Sequence, residues 1–127
     1  MPDCNRPDHL IVIADHSPGA HVTDSEEIFW WLPVIGPGAG FLAFLLARHV
    51  RHADTTWDTT ELAMLIGLGG NRSTLWQRLD RLAMFGLANF VATDVVTIRL
   101  ELPPLKGRQL ERLPESLAAT YRNAVAA

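Results

Sequence analysis

The sequence has a single cysteine and lacks the motifs on which several classes of site depend. Cys4 is its only cysteine, which excludes an intrachain disulfide bond and a cysteine-based zinc site. The chain also lacks a nucleophile elbow, a glycine loop ending in lysine and a metalloprotease helix motif. We therefore expect no enzymatic activity and no cofactor. The apolar run Leu10–Ala14 is too short for a signal peptide and follows Asp8, so we expect a cytoplasmic protein.

Charged residues are not abundant, and they are unevenly distributed. They make up 20% of the 127 residues against 48% hydrophobic ones, as in an ordinary globular domain, and the net charge is −3. Residues 1–32 hold six carboxylates against Arg6, a net charge of −5, which leaves +2 for the other 95 residues. The overall charge disfavours nucleic-acid binding, since attraction to phosphates supplies much of that affinity. Its distribution predicts an acidic, partly flexible N-terminal arm over residues 1–27.

The N-terminal arm contains one β-rich run and several side chains that can bind metals. His9–Asp15 (HLIVIAD) has the length and the β-branched residues of an edge strand or of a docking segment. The metal-binding types lie in or beside a loop rich in turn residues: Asp15, His16, His21 and Asp24. Because ligands without a rigid support make a poor site, we expect no metal there.

A long uncharged segment, Ile28–Ala47, follows the arm. Its 20 residues are enough to cross a membrane, but prolines and glycines interrupt the first half. A helix is expected to begin at Pro37, a residue favoured in the first turn, and to end near His52. Its apolar part, Phe41–Ala47, is too short to span a bilayer, so membrane insertion is disfavoured. We expect a core helix and, over residues 28–47, an apolar surface for dimerisation or for a protein partner.

The stretch Asp58–Ala88 predicts two helices joined by a glycine turn. Thr59 or Thr60 is expected to cap the first helix, whose apolar residues recur at helical spacing. The glycines that follow supply left-handed backbone and end this helix: Gly67, Gly69 and Gly70. The second helix has its own start and stop signals, a cap at Asn71 or Ser73 and then Gly86.

The order of elements from Pro37 to Leu102 resembles that of the winged helix-turn-helix family. Two strands, Leu87–Ala92 and Val95–Glu101, follow the second helix and predict a β-hairpin with its turn at Thr93–Asp94. A helix, a short strand, two helices and a hairpin in this order match the family. Shorter similarities accompany that order: Ala63 with Gly67 four residues later, and the FGLA of Phe85–Ala88, which resembles the MarR and ArsR branches. Residues 31–40 and 102–114 also resemble small actinobacterial and phage helix-turn-helix proteins.

This resemblance implies a fold class and a division of the chain. We expect a mainly α fold with a small antiparallel β-hairpin (α+β), that is, a winged helix-turn-helix domain over residues 28–102. Residues 103–127 are then a C-terminal helical extension, which dimerises the protein or covers its core.

Helical geometry selects the candidate DNA contacts. With Leu79 at the centre of the buried face, Trp76 falls on the core side of the second helix. We expect the polar side chains elsewhere on this helix to bind double-stranded DNA: Arg72, Ser73, Thr74, Gln77, Arg78 and Arg81. Arginine suits guanine, glutamine suits adenine and hydroxyl groups suit phosphates.

These candidates predict a sequence-specific transcriptional regulator that acts as a homodimer, with Ser73–Arg81 as the recognition helix. The hairpin tip is short and acidic, so it is not expected to enter the minor groove. The alternative is a winged-helix protein-protein interaction adaptor with weak or no DNA binding. The adaptor would bind its protein partner through the acidic arm or the apolar surface of residues 28–47, and the net charge of −3 favours it.

Overall fold

The computed structural model describes residues 5–126, which form six strands, six α-helices and one 3₁₀ helix. The only cysteine, Cys4, lies outside the described residues. The strands are β1 (His9–Asp15), β2 (His21–Val22), β3 (Thr55–Asp58), β4 (Ala88–Ala92), β5 (Val95–Arg99) and β6 (Glu101–Leu102). The α-helices are α1 (Leu32–Ile35), α2 (Pro37–Val50), α3 (Thr59–Leu65), α4 (Arg72–Met84), α5 (Arg108–Glu111) and α6 (Glu115–Ala126). The 3₁₀ helix spans Glu26–Trp30.

Strand β1 lies inside the main sheet and not at its edge. The four strands run in the order β3–β1–β5–β4, with β1 antiparallel to β3 and parallel to β5. Leu10 is paired with Trp57 on β3, and Val12 is paired with Val96 on β5. Leu10 and Val12 are fully buried, so backbone hydrogen bonds on both sides and core packing together hold the strand.

The expected mainly α fold with one small antiparallel hairpin, a winged helix-turn-helix, is therefore wrong. The chain is 48% helical and 21% strand, and its sheet mixes parallel with antiparallel pairing. The expected hairpin is present as β4 and β5, but β1 separates β5 from β3. The residue types of His9–Asp15 predict a strand. They do not predict which strands lie beside it, because the hydrophobic pattern of a short run carries no pairing information.

The helix pair forms as the sequence predicts. The carboxylate of Asp58 caps α3 by accepting the N–H of Glu61 at 3.0 Å, one residue before the expected cap. The Oδ1 atom of Asn71 caps α4 by accepting the N–H of Thr74 at 3.1 Å. The three glycines expected to take left-handed backbone, Gly67, Gly69 and Gly70, all have positive φ, and so does Gly86, the expected stop signal of the second helix. These caps and turns fix where α4 begins and ends.

The core lies between the main sheet and the helices α2 and α4. The helix expected from Pro37 is confirmed, because α2 begins at Pro37 and ends at Val50. Its buried face contacts α4 on one side and β1 and β5 on the other. Trp31 and Trp76 are the largest of the fully buried side chains. None of the helices in residues 5–126 is long and apolar enough to cross a membrane.

A buried hydrogen-bonded pair connects α6 to the N-terminal part of the chain. The hydroxyl of Tyr121 accepts the N–H of Leu105 at 2.7 Å and lies 2.9 Å from Nε2 of His21. His21 and Tyr121 are 5% and 2% exposed. The hydroxyl donates to or accepts from Nε2 of His21 according to the tautomer of the ring. This contact helps hold α6 against the loop around β2.

Candidate nucleic-acid interface

The outer side of α4 carries four of the six candidate contact residues. Ser73 and Gln77 are exposed, and Thr74 and Arg78 are half-buried. Trp76 is 1% exposed, so its expected place in the core is confirmed. The N-terminal half of α4 therefore presents two hydroxyls, an amide and a guanidinium on or beside one solvent-facing strip. These groups have the chemistry to contact phosphates and base edges.

The side chain of Arg72 is directed away from that strip. Its Nε donates to Oγ1 of Thr59 at 2.9 Å, and its Nη2 donates to the carbonyl oxygens of Arg6 and Pro7 at 2.6 and 2.8 Å. Arg72 thus ties the start of α4 to α3 and to the segment before β1. A base contact by Arg72 would require it to give up these bonds.

Arg81 is also bound within the protein. Its Nε donates to the carbonyl oxygen of Ile35 at 2.6 Å and its Nη2 to that of Val34 at 3.0 Å. These carbonyls lie in the last turn of α1, where the helix itself provides no N–H group to donate to them. Arg112 donates to Val34 as well, at 3.3 Å. The structure therefore places Arg81 between α4 and α1, on the side of α4 that packs against the rest of the chain.

The bonds of Arg72 and Arg81 do not cancel their charges, because carbonyl oxygens are neutral. The salt bridges within residues 5–126 use neither Arg72, Arg78 nor Arg81. The one acidic residue of α4, Asp80, is compensated by Arg6 at 2.7 Å. This helix consequently keeps a local positive charge in a chain that is acidic overall.

Sequence reasoning did not find Arg6. Its guanidinium lies 4.4 Å from the ring centroid of Trp76 as well as beside Asp80, so it covers one flank of α4. Arg6 and Asp80 are 74 residues apart, and no local pattern connects them. Through these contacts of Arg6, the segment before β1 lies beside the candidate interface.

The hairpin tip contributes no positive charge to the interface. A carboxylate oxygen of Asp94 lies 3.0 Å from Nε2 of His9, and one of Asp8 lies 3.3 Å from Nδ1 of the same ring. Hydrogen bonds to Asp8 and Asp94 raise the pKa of His9 above its usual value. The tip is thereby bound to the start of β1.

Three of the four side chains considered as metal ligands have other partners, and the fourth, His16, is exposed. Asp15 accepts from Ser17, Asp24 accepts from Arg51, and His21 is buried against Tyr121. Within residues 5–126, no group of three or more histidine, cysteine or acidic side chains lies close enough to hold a metal ion.

Comparison with protein-family models, with curated proteins and with solved structures finds no match to this chain.

Proposed function

We propose that this protein binds double-stranded DNA through the N-terminal half of α4 and acts as a sequence-specific regulator. The observation that carries the proposal is the polar strip on the second helix of the capped pair, formed by exposed Ser73 and Gln77 with half-buried Thr74 and Arg78. A helix at such a position and with such side chains fits the width of the major groove. The resemblance of the sequence to helix-turn-helix proteins supports it as well.

The roles of the six candidates differ under this proposal. Gln77 and Arg78 read base edges, and Ser73 and Thr74 contact phosphates near the start of α4. Arg72 and Arg81 orient α4 through their bonds to backbone carbonyls and add positive potential without direct base contact. Orientation is important here because base recognition depends on bidentate geometry.

A titration with labelled genomic fragments at low and at physiological salt tests the proposal. We expect retardation that weakens as salt rises. Arg78→Ala should weaken binding by about 1–3 kcal/mol and relax the base preference at the position that Arg78 reads. Arg122→Ala is the matched control, since it removes the same charge from an exposed position on α6. Absence of retardation at both salt concentrations, or equal effects of the two variants, would refute DNA binding by α4.

One observation favours a second function, that of a protein-interaction adaptor with weak or no DNA binding. Of the three arginines on α4, Arg72 and Arg81 donate to groups within the protein, and only Arg78 has no hydrogen bond within residues 5–126. One such guanidinium is few for a DNA-binding helix. The same titration separates the two functions, because an adaptor gives no salt-dependent retardation.

A further inference from the structure

Three adjoining cavities line one side of the molecule and differ in charge. We name them the acidic pocket, the aromatic groove and the arginine pocket. The acidic pocket, of about 310 Å³, is lined by Glu26, Glu27, Phe29, Trp30 and Leu117. The aromatic groove, of about 390 Å³, lies between the 3₁₀ helix and α2, and its side chains include Ile28, Phe29, Leu32, Pro37, Phe41 and Phe44. The arginine pocket, of about 260 Å³, is lined by residues 35–39 with Arg78 and Arg81.

Shared residues set the order of these cavities along the surface. Glu26 and Phe29 belong to both the acidic pocket and the aromatic groove. Pro37 belongs to both the aromatic groove and the arginine pocket. The surface is therefore acidic at one end, apolar at its centre and basic at the other end.

The centre exposes two large aromatic side chains. Phe29 is 64% exposed and Phe41 is 49% exposed, on opposite walls of the aromatic groove. Adjacent exposed aromatic side chains are unusual on a monomer, and aromatic residues near the middle of an interface commonly supply most of its binding energy. This area has the composition of an interface centre.

The charges at the two ends are not compensated within residues 5–126. Glu26 takes part in none of the salt bridges, and Glu27 lies 3.8 Å from Nδ1 of a histidine, His21, whose pKa burial lowers. At the other end Arg81 binds neutral carbonyls, and Arg78 is in no salt bridge. Each end consequently retains a charge that a partner of opposite sign would neutralise.

We propose that a second copy of this chain docks on this surface to form a two-fold symmetric dimer centred on the aromatic groove. A two-fold axis perpendicular to the row of cavities reverses their order, so the acidic pocket of one copy faces the arginine pocket of the other. Phe29 and Phe41 of both copies pack together at the centre of the interface and are buried from water. Two equivalent sets of opposite charges then close the ends, which a partner of uniform charge would not match.

The dimer goes beyond the proposed DNA binding, and because Arg78 lines the arginine pocket, the second copy and DNA would compete for this side chain. The dimer would place the two α4 helices toward opposite ends of a shared interface, because Arg78 and Arg81 of α4 line only the basic end. Dimerisation is measured without DNA, so either proposal can fail while the other stands.

Sedimentation equilibrium of the full chain over a range of concentrations tests the dimer. We expect a reversible monomer–dimer equilibrium, and Phe41→Ser should raise its Kd by about thirtyfold or more, the range of an interface hot spot. Val91→Ser is the matched control, because Val91 is 57% exposed, apolar and outside the three cavities. It should leave the Kd unchanged. Circular dichroism of both variants checks that the fold is retained.

A charge exchange tests the orientation of the two copies. Glu26→Arg should weaken the dimer, and the double variant Glu26→Arg with Arg78→Glu should restore it, since the two exchanged side chains again face each other with opposite charges. Glu26 and Arg78 form no salt bridge within one copy, so restoration requires contact between copies. A chain that stays monomeric at every concentration, or a dimer unaffected by Phe41→Ser, would overturn the proposal. Binding of a synthetic leucine–lysine peptide to a monomeric chain would do so too, by showing that the groove takes a different partner.

Discussion

The Nε atom of Arg81 donates a hydrogen bond to the carbonyl oxygen of Ile35 at 2.6 Å. Arg81 lies on α4 and Ile35 is the last residue of α1, so one side chain satisfies a helix end elsewhere in the chain. An arginine that sequence reasoning assigns to DNA thus has a structural partner. Its loss should therefore change stability.

Arg81→Ala should lower the free energy of unfolding by about 2 kcal/mol, because it removes two charge-assisted hydrogen bonds and leaves the carbonyl of Ile35 without this donor. Arg78→Ala, which removes no hydrogen bond within residues 5–126, should change it by less than about 0.5 kcal/mol. Urea denaturation of both variants checks this. Similar losses for the two variants would show that the Arg81 bonds contribute little.

His21 should make the protein less stable as the pH falls below about 6.5. Burial lowers the pKa of His21, so below that pH the unfolded chain binds a proton that the folded chain does not. Above it neither state binds the proton and this dependence vanishes. His21→Gln should flatten the decline in unfolding free energy on the acidic side. An unchanged slope would mean that another group causes the decline.

His9 should have the opposite effect and serves as the comparison. Hydrogen bonds to Asp8 and Asp94 raise its pKa, so it stabilises the fold at pH values below about 6.5 and loses that effect as the pH rises through the folded-state pKa. His9→Gln should therefore alter the pH dependence in the direction opposite to His21→Gln. Unfolding curves of both variants between mildly acidic and neutral pH provide the measurement.

Asp24 should contribute to stability at neutral pH and lose its contribution in acid. Burial acts to raise its pKa, but hydrogen bonds and charges from Arg51 and Arg48 outweigh it, and the net pKa is below the usual value. Its stabilisation is complete above about pH 4 and disappears as the pH falls through the folded-state pKa. Asp24→Asn should cost about 2 kcal/mol at pH 7 and progressively less below pH 4. A cost that does not change with pH would exclude the ionic explanation.

Gly19 should not tolerate a larger residue, whereas Gly38 should. A Cβ on Gly19 would lie 2.5 Å from the carbonyl oxygen of Leu102, a backbone atom that cannot move freely. A Cβ on Gly38 would approach only the side chain of Arg78. We expect Gly19→Ala to destabilise by about 1–3 kcal/mol and Gly38→Ala to be neutral or stabilising by up to about 1 kcal/mol. Thermal unfolding of the two variants distinguishes them, and equal transition temperatures would contradict the expectation.

The parts of the fold that the sequence predicts correctly depend on neighbours along the chain. Asn71 caps α4, and Gly67 to Gly70 end α3, because caps and left-handed turns involve residues a few positions apart. The start of α2 at Pro37 is of the same kind. Local signals of this type can be read directly from one sequence.

The parts that the sequence does not predict depend on contacts between distant segments. The pairing of β1 with β5 joins Val12 to Val96, and no repeat or spacing records it. The same holds at the candidate interface, where the helical period places Arg81 on the solvent side but cannot show that the end of α1 lies within its reach. The partner of a long side chain is set by the tertiary fold, so the helical period alone does not predict it.

The position of β1 between β3 and β5 also has a consequence for the order of folding. During synthesis β1 and β3 emerge well before β5, so their antiparallel pair can form while the other edge of β1 has no partner. That edge belongs to an apolar strand and is prone to pairing with other chains. We expect the nascent chain to pass through an interval of aggregation risk, and to benefit from a chaperone, until translation delivers the hairpin that covers it.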